Sequence, residues 1–155
     1  MSPKLKACFQ RIETMGDEAA AITSKLVAIE SVRPDFSCTS DPVGPGVRQC
    51  LAAAVAMCES RGMAVRIHDG QVAVAEIGAG QENLAFVVHL DVVPAGQGWT
   101  YPPFSGAIVD GYVWGRGAQD DKGPFASILV AIDALQAELT RRYKTGEATV
   151  ESLLD

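Results

Sequence analysis

The feature that most constrains this chain is the run "NLAFVVHL", Asn83 to Leu90, in which apolar side chains fill every position from Leu84 to Val88 before a histidine closes it. A segment apolar on both faces has no side to offer to water, so it predicts a central strand buried between layers. Two other runs rich in branched residues, "MAVRIHD" and "QVAVAEIG", precede it, separated by the hairpin and turn signals Asp69-Gly70 and "AGQE". The expectation is a sheet, and open α/β sheets bind their ligands at the C-terminal ends of such strands. His89 and Asp91 stand at that end, within "VVHLDVVPAGQGW".

Helices are expected around the sheet. In the first thirty residues Ala21, Ile22, Leu26 and Ile29 share one face, and two helical segments with a break near Gly16 fit the pattern. Residues 31 to 46 are rich in turn formers and read as a loop of functional-site length. A helix from about Val47 to Arg61 follows, with Gly62 as its stop. "SGAIVDGYVWGRG" reads as a short hairpin turning at Asp110-Gly111. "DDKGPFASILVAIDALQAEL" then predicts a helix ending near Leu139, with Asp at its cap and Pro124 in its first turn. Phe125, Ile128, Leu129, Ile132 and Leu135 lie along one face of it.

A length of 155 residues makes a single domain the default, and 48% apolar residues require a core. Thirteen basic against nineteen acidic residues leave a net charge of -6 without a Lys/Arg cluster, which argues against nucleic acid and anionic membranes as partners. The opening "MSPKLKACFQRIETMGDEAAA" lacks the continuous apolar segment of a signal peptide, and no later run is long enough to span a bilayer, so a cytoplasmic location is expected. Cys8, Cys38, Cys50 and Cys58 contain no C-x-x-C pair and read as reduced, mostly packed thiols.

Alone, His89 reads more readily as a satisfied, partly buried side chain than as a metal ligand. Asp91 shifts that balance, because a carboxylate two residues along can accept the second ring N–H and fix the tautomer, as metal-bound histidines usually require. A second constellation, "GRGAQDDKGP" from Gly115 to Pro124, places adjacent carboxylates where a Gly-rich loop meets a helix. Helix capping would need only one of them. A phosphate loop is rejected, since Lys-Gly-Pro stands where G-K-[ST] belongs and two carboxylates would repel phosphate. A divalent cation, held by His and Asp from two loop ends, suits these residue types better.

"HLDVVPAGQGWTYPPF" followed by "DGYVWGRGAQDDKGP" resembles the M20 family of metallopeptidases, and within it the dipeptidase and carnosinase-like branch. The resemblance is strong from about Ala64 to Ala134 and weaker over "KLVAIESVRPD". It implies an α/β fold: a three-layer, zinc-peptidase-like catalytic domain with a mixed sheet flanked by helices, incomplete at its C-terminal side. Residues 1–155 would be a partial catalytic domain, made of a helical segment 1–62, a sheet and metal-loop segment 63–140 and an atypical tail 141–155.

By the same resemblance His89 would ligate one zinc of a two-metal site, Asp120 would bridge both metals, and Asp91, counted with the catalytic machinery, would clamp His89. Cobalt or manganese could replace zinc. Asp121 would not be a ligand, and the Asp120–Asp121 peptide bond is a candidate for the cis form. Lys122, Gly123 and Pro124 would shape the helix start; Arg116 would be an ion-pair partner of the loop, and Trp99 and Phe104 would pack it. The implied activity is zinc-dependent hydrolysis of dipeptides, with an N-acyl-amino-acid deacylase as the alternative and a non-enzymatic remnant or partner-binding module as another.

The Glu-Glu pair, further Asp and distant His of the family have no counterpart here, and Glu147 and Glu151 are not adjacent. The chain is therefore expected to be the N-terminal part of a catalytic domain, inactive alone, with a second chain carrying the missing half among its expected partners.

Overall fold

Residues 3–34, 41, 43–80 and 82–145 are described by a computed structural model of the chain. Cys38, Glu147 and Glu151 lie outside these described residues. Helix α1 spans Pro3–Glu13 and α2 spans Gly16–Val27. The break between them, at Thr14–Met15, falls where it is expected, and the Thr14 hydroxyl donates to the Arg11 carbonyl at 2.7 Å. Asp17 and Glu18 in the first turn of α2, and Lys25 in its last, complement the helix dipole.

Helix α3, Pro45–Glu59, begins two residues before its expected start, because Pro45 supplies a pre-set φ at the first helical position. It ends before Gly62, which adopts φ 76°. Strands β1, Ala64–His68, and β2, Val72–Glu76, form an antiparallel hairpin through Asp69 and Gly70, both at positive φ. A second hairpin pairs β3, Ala107–Val109, with β4, Tyr112–Trp114, through Asp110-Gly111. Its two central residues also have positive φ, the geometry that matches the twist of a tight hairpin. A wide turn, Ala118–Lys122, leads into the long helix α4, Gly123–Thr145.

The core lies between helices. Ile22 and Leu26 of α2, Cys50 and Cys58 of α3, Met63, and Ala126, Leu129 and Val130 of α4 form one buried cluster. The buried face of α4 is Ala126, Leu129, Val130 and Ala134, whereas Leu135 is exposed. This corrects the expected stripe: Ala126, Val130 and Ala134 join Leu129 in the buried positions, while Phe125 and Ile132 pack at the margin of the cluster. Arg61 ties three helices together through Asp133 at 2.8 Å, Glu18 at 2.9 Å and the Met57 carbonyl at 3.1 Å. The described thiols of Cys8, Cys50 and Cys58 are free and buried.

Two further expectations are corrected. Helix α4 continues past Leu139 to Thr145, because Glu138 pairs with Arg141 and Arg142 one turn on and Arg142 and Lys144 favour a helix C-terminus. The supposed central strand carries no strand pairing: Leu84 is 82% and Val87 93% exposed. A run apolar on both faces needs neighbours along both edges. The described residues supply only a parallel bridge between Val32 and Val92, beyond its end. The fold is accordingly mixed α/β, with two small antiparallel hairpins on a helical core. Among the described residues no helix is long and apolar enough to cross a membrane.

Candidate metal centre

The first arm of the site is the segment His89–Val92. The Ser31 hydroxyl donates to the Leu90 carbonyl at 2.6 Å, Val92 N–H donates to the Ser31 carbonyl at 2.9 Å, and Arg33 N–H donates to the Val92 carbonyl at 3.2 Å. These bonds fix the backbone on either side of Asp91. The second arm is the turn between β4 and α4. Gly117, at φ 85°, would take a side chain only with strain, because a Cβ there would lie 2.6 Å from a methyl of Val92. Lys122 N–H closes the turn on the Gly117 carbonyl at 3.1 Å. Within the turn the Asp120–Asp121 peptide bond is cis, as expected.

The polar contact between the arms is that of His89 Nε2, which lies 3.0 Å from Asp120 Oδ1 across 31 residues of sequence. Of the two adjacent aspartates, it is Asp120 that reaches the ring, and its side chain is 85% exposed. His89 Nδ1 donates to the backbone carbonyl of Asp91 at 2.9 Å, while the nearest Asp91 carboxylate oxygen is 3.6 Å away. The main chain therefore holds the ring as the side chain was expected to, and Asp91 adds a nearby negative charge. Burial pushes the His89 pKa down, but the Asp91 carbonyl and the Asp120 and Asp91 carboxylates outweigh it and raise it.

Two of the expected metal-site residues thus converge, with the third beside them. With Nδ1 donating to the Asp91 carbonyl, the 3.0 Å bond to the Asp120 carboxylate requires a proton on Nε2 as well, and a metal ion would take the place of that proton between the two atoms. Ligand bonds of about 2.0–2.1 Å at a tetrahedral angle separate two donor atoms by roughly 3.3 Å, close to the 3.0 Å between these two. The nitrogen and oxygen donors suit zinc in type and spacing. In number they are a partial set, since no cluster of three His, Cys, Asp or Glu is poised for a metal among the described residues.

The surrounding loop departs from expectation at Arg116. Its guanidinium donates to the Ala95 carbonyl at 3.2 Å and lies 5.3 Å from the centroid of the Trp99 ring, so it clamps the loop through a carbonyl and a cation–π contact in place of an ion pair. Trp99 Nε1 donates to the same carbonyl at 2.9 Å. Phe104 is half-buried in this loop.

Lys122 is the residue whose importance the sequence understated. It is fully buried, and its ammonium donates to the carbonyls of Leu26 at 2.8 Å and Ile29 at 2.9 Å, at and just beyond the end of α2, where Leu26 also accepts the Ile29 N–H at 3.1 Å. Burial lowers its pKa, against a raising influence of Cys50. A signal was available: Lys122, Ala126, Leu129 and Val130 stand at the i, i+4, i+7, i+8 spacing of one helical stripe, and all four are buried.

Known proteins resemble the segment that carries both arms. The family model described as "Peptidase family M20/M25/M40" matches residues 85–148, which include both arms. A Staphylococcus epidermidis protein named "Putative dipeptidase" is 38% identical over 111 residues, 71% of this chain and 24% of that protein. A Staphylococcus aureus (strain USA300) protein, also named as a putative dipeptidase, is 34% identical over 128 residues, 82% of this chain and 27% of that protein. The chain thus spans about a quarter of the length of the curated relatives it matches. With the family model covering the segment in which His89 meets Asp120, and relatives of this identity extending over most of the chain, the protein belongs to the M20/M25/M40 peptidase family.

Proposed function

We propose that this chain contributes the first metal-binding elements of a zinc-dependent dipeptidase. The observation that carries the reading is the approach of His89 Nε2 to Asp120 Oδ1, two donors from separate loops brought within 3.0 Å at a cis peptide bond. His89 would hold one ion, with Asp120 shared between two. When bound, the metal pair would lower the pKa of a water and polarise the scissile carbonyl.

This chain's residues have distinct tasks in that reading. The Asp91 carbonyl keeps the proton on His89 Nδ1, leaving Nε2 as the donor atom. The Asp91 carboxylate, 3.6 Å away, favours positive charge on the ring without taking its proton. Asp120 supplies the negative charge that a bridging position needs. The general base and remaining ligands would come from polypeptide outside the described residues. Dipeptides are preferred to N-acyl amino acids as substrates because the matched relatives are named as dipeptidases. A cytoplasmic location fits the free, buried thiols of Cys8, Cys50 and Cys58.

The test supplies this chain with a second one carrying the rest of a family catalytic domain and follows dipeptide hydrolysis with added Zn2+. Turnover should appear in the mixture and be abolished by Asp120→Asn or His89→Ala in this chain. The 155-residue chain alone should show none, since lack of a positioned base costs roughly 100- to 10,000-fold. Turnover in the mixture that survives both substitutions would overturn the assignment.

A further inference from the structure

The His89 and Asp120 arms are held by the same short stretch of chain. The end of α2 and its continuation, residues 26–33, present a row of groups to both. On one side the carbonyls of Leu26 and Ile29 accept the two hydrogen bonds of the buried Lys122 ammonium, two residues beyond Asp120 and 96 residues from Leu26 in sequence. On the other side Ser31, also fully buried, donates its hydroxyl to the carbonyl of Leu90, the residue between His89 and Asp91. The Ser31 carbonyl and the Arg33 N–H then hold Val92 from both sides. Where the arms touch, the space beside Gly117 is filled by a Val92 methyl and the Lys122 side chain.

We infer that Ser31 and Lys122 are positioning residues for the metal pair: together they reference both ligand loops to one rigid helix end, and so set the His89–Asp120 separation. Neither side chain contacts His89 Nε2 or Asp120 Oδ1, so each acts through the backbone it holds. Packing alone would not require this arrangement. An apolar side chain could fill the place of Lys122, but it would take from the Ile29 carbonyl its lysine donor, leave the Leu26 carbonyl with the Ile29 N–H alone, and leave the loop without a directional anchor. The inference rests on the proposed metal reading for its purpose, though not for its geometry.

The experiment uses the full chain and two readouts. The first is the NMR signal of the His89 ring without metal, with Asp120→Ala marking the value for a broken contact. The second is a Zn2+ titration followed on the same ring. Lys122→Met and Ser31→Ala should move the metal-free signal toward the Asp120→Ala value. Lys122→Met should weaken Zn2+ binding about tenfold or more, the effect expected when a ligand's support is lost, and Ser31→Ala should act in the same direction by a smaller factor.

Ser31→Thr, which keeps the hydroxyl, should restore the signal. Met63→Ala, a core change that removes no hydrogen bond to either arm, should lower the melting temperature and leave the ring signal in place. If Lys122→Met does not fold, Ser31→Ala decides. A folded Ser31→Ala chain with the wild-type ring signal and Zn2+ affinity overturns the inference. A ring signal that moves in the variants, while turnover in the two-chain mixture survives both His89→Ala and Asp120→Asn, supports the positioning role and defeats the proposed function.

Discussion

The two arms of the candidate site rest on backbones of opposite character. The Asp120 arm lies between a hairpin and a long packed helix and is closed by a buried lysine. The His89 arm follows an extended run whose apolar side chains face solvent and which is secured only from Leu90 onward. Short-range bonds can shape a turn completely, whereas a strand is shaped by its neighbours. The precision of the site therefore originates in the turn and the α2 end, and reaches His89 through Ser31.

The sharpest way to break this comparison is to truncate one apolar residue on each side. Leu129→Ala, behind the Asp120 arm at 2% exposure, should cost about 2–5 kcal/mol. Val87→Ala, at 93% exposure, should stay within about 0.5 kcal/mol. Denaturant unfolding of both variants measures the contrast, and equal losses would mean that Val87 is buried in solution.

A smaller effect is expected where the arms touch. Gly117→Ala should cost about 1–3 kcal/mol, because φ 85° disfavours any side chain and the new methyl would press on Val92. The loss should appear in denaturant unfolding together with faster amide exchange at Val92. Smaller again, Trp99→Leu should lose about 0.5–1 kcal/mol of the clamp with Arg116. It should loosen the Ala95–Trp99 loop in hydrogen exchange while the His89 ring signal holds.

The smallest effect concerns pH at the far end of α4. Hydrogen bonds from Arg141 and Arg142 hold the Glu138 carboxyl at about 2, below its ordinary 4.5. A depressed carboxylate stabilises the fold above its unfolded value and loses that contribution as pH falls through the folded one. Helicity and amide protection of the last turns of α4 should therefore decline from about pH 4.5 down to about 2, and Glu138→Gln should remove this dependence. Neither arm of the site should register it.

The parts of this structure legible in the sequence are those governed by nearby residues. The Asp-Gly pairs at 69–70 and 110–111 specify hairpins because both positions tolerate positive φ, and both hairpins form there. The break before Gly16 and the stop at Gly62 are local in the same sense. What escaped depends on distant partners. Strand pairing at Leu84–Val88 cannot be supplied by its own residues. The buried face of α4 is set by the elements packed against it, and it takes in Ala126 and Ala134 while Leu135 stays exposed. For the candidate site, residue types and the cis bond were legible through family resemblance. The use of the Asp91 carbonyl in place of its carboxylate, and the anchoring of Lys122 on Leu26 and Ile29, required coordinates.

The link between Ser31 and Leu90 also bears on the order in which the molecule acquires structure. These partners are 59 residues apart in sequence, and the chain between them contains all of α3 and the first hairpin. A loop of that size carries a larger closure entropy than a two-residue turn, and hairpins of the β3–β4 kind form within about 1–10 μs. The contact that seats His89 must wait for that loop to close, whereas the hairpin that leads to Asp120 can form from its own residues. In a refolding time course, protection at Val92 should trail protection at Val113.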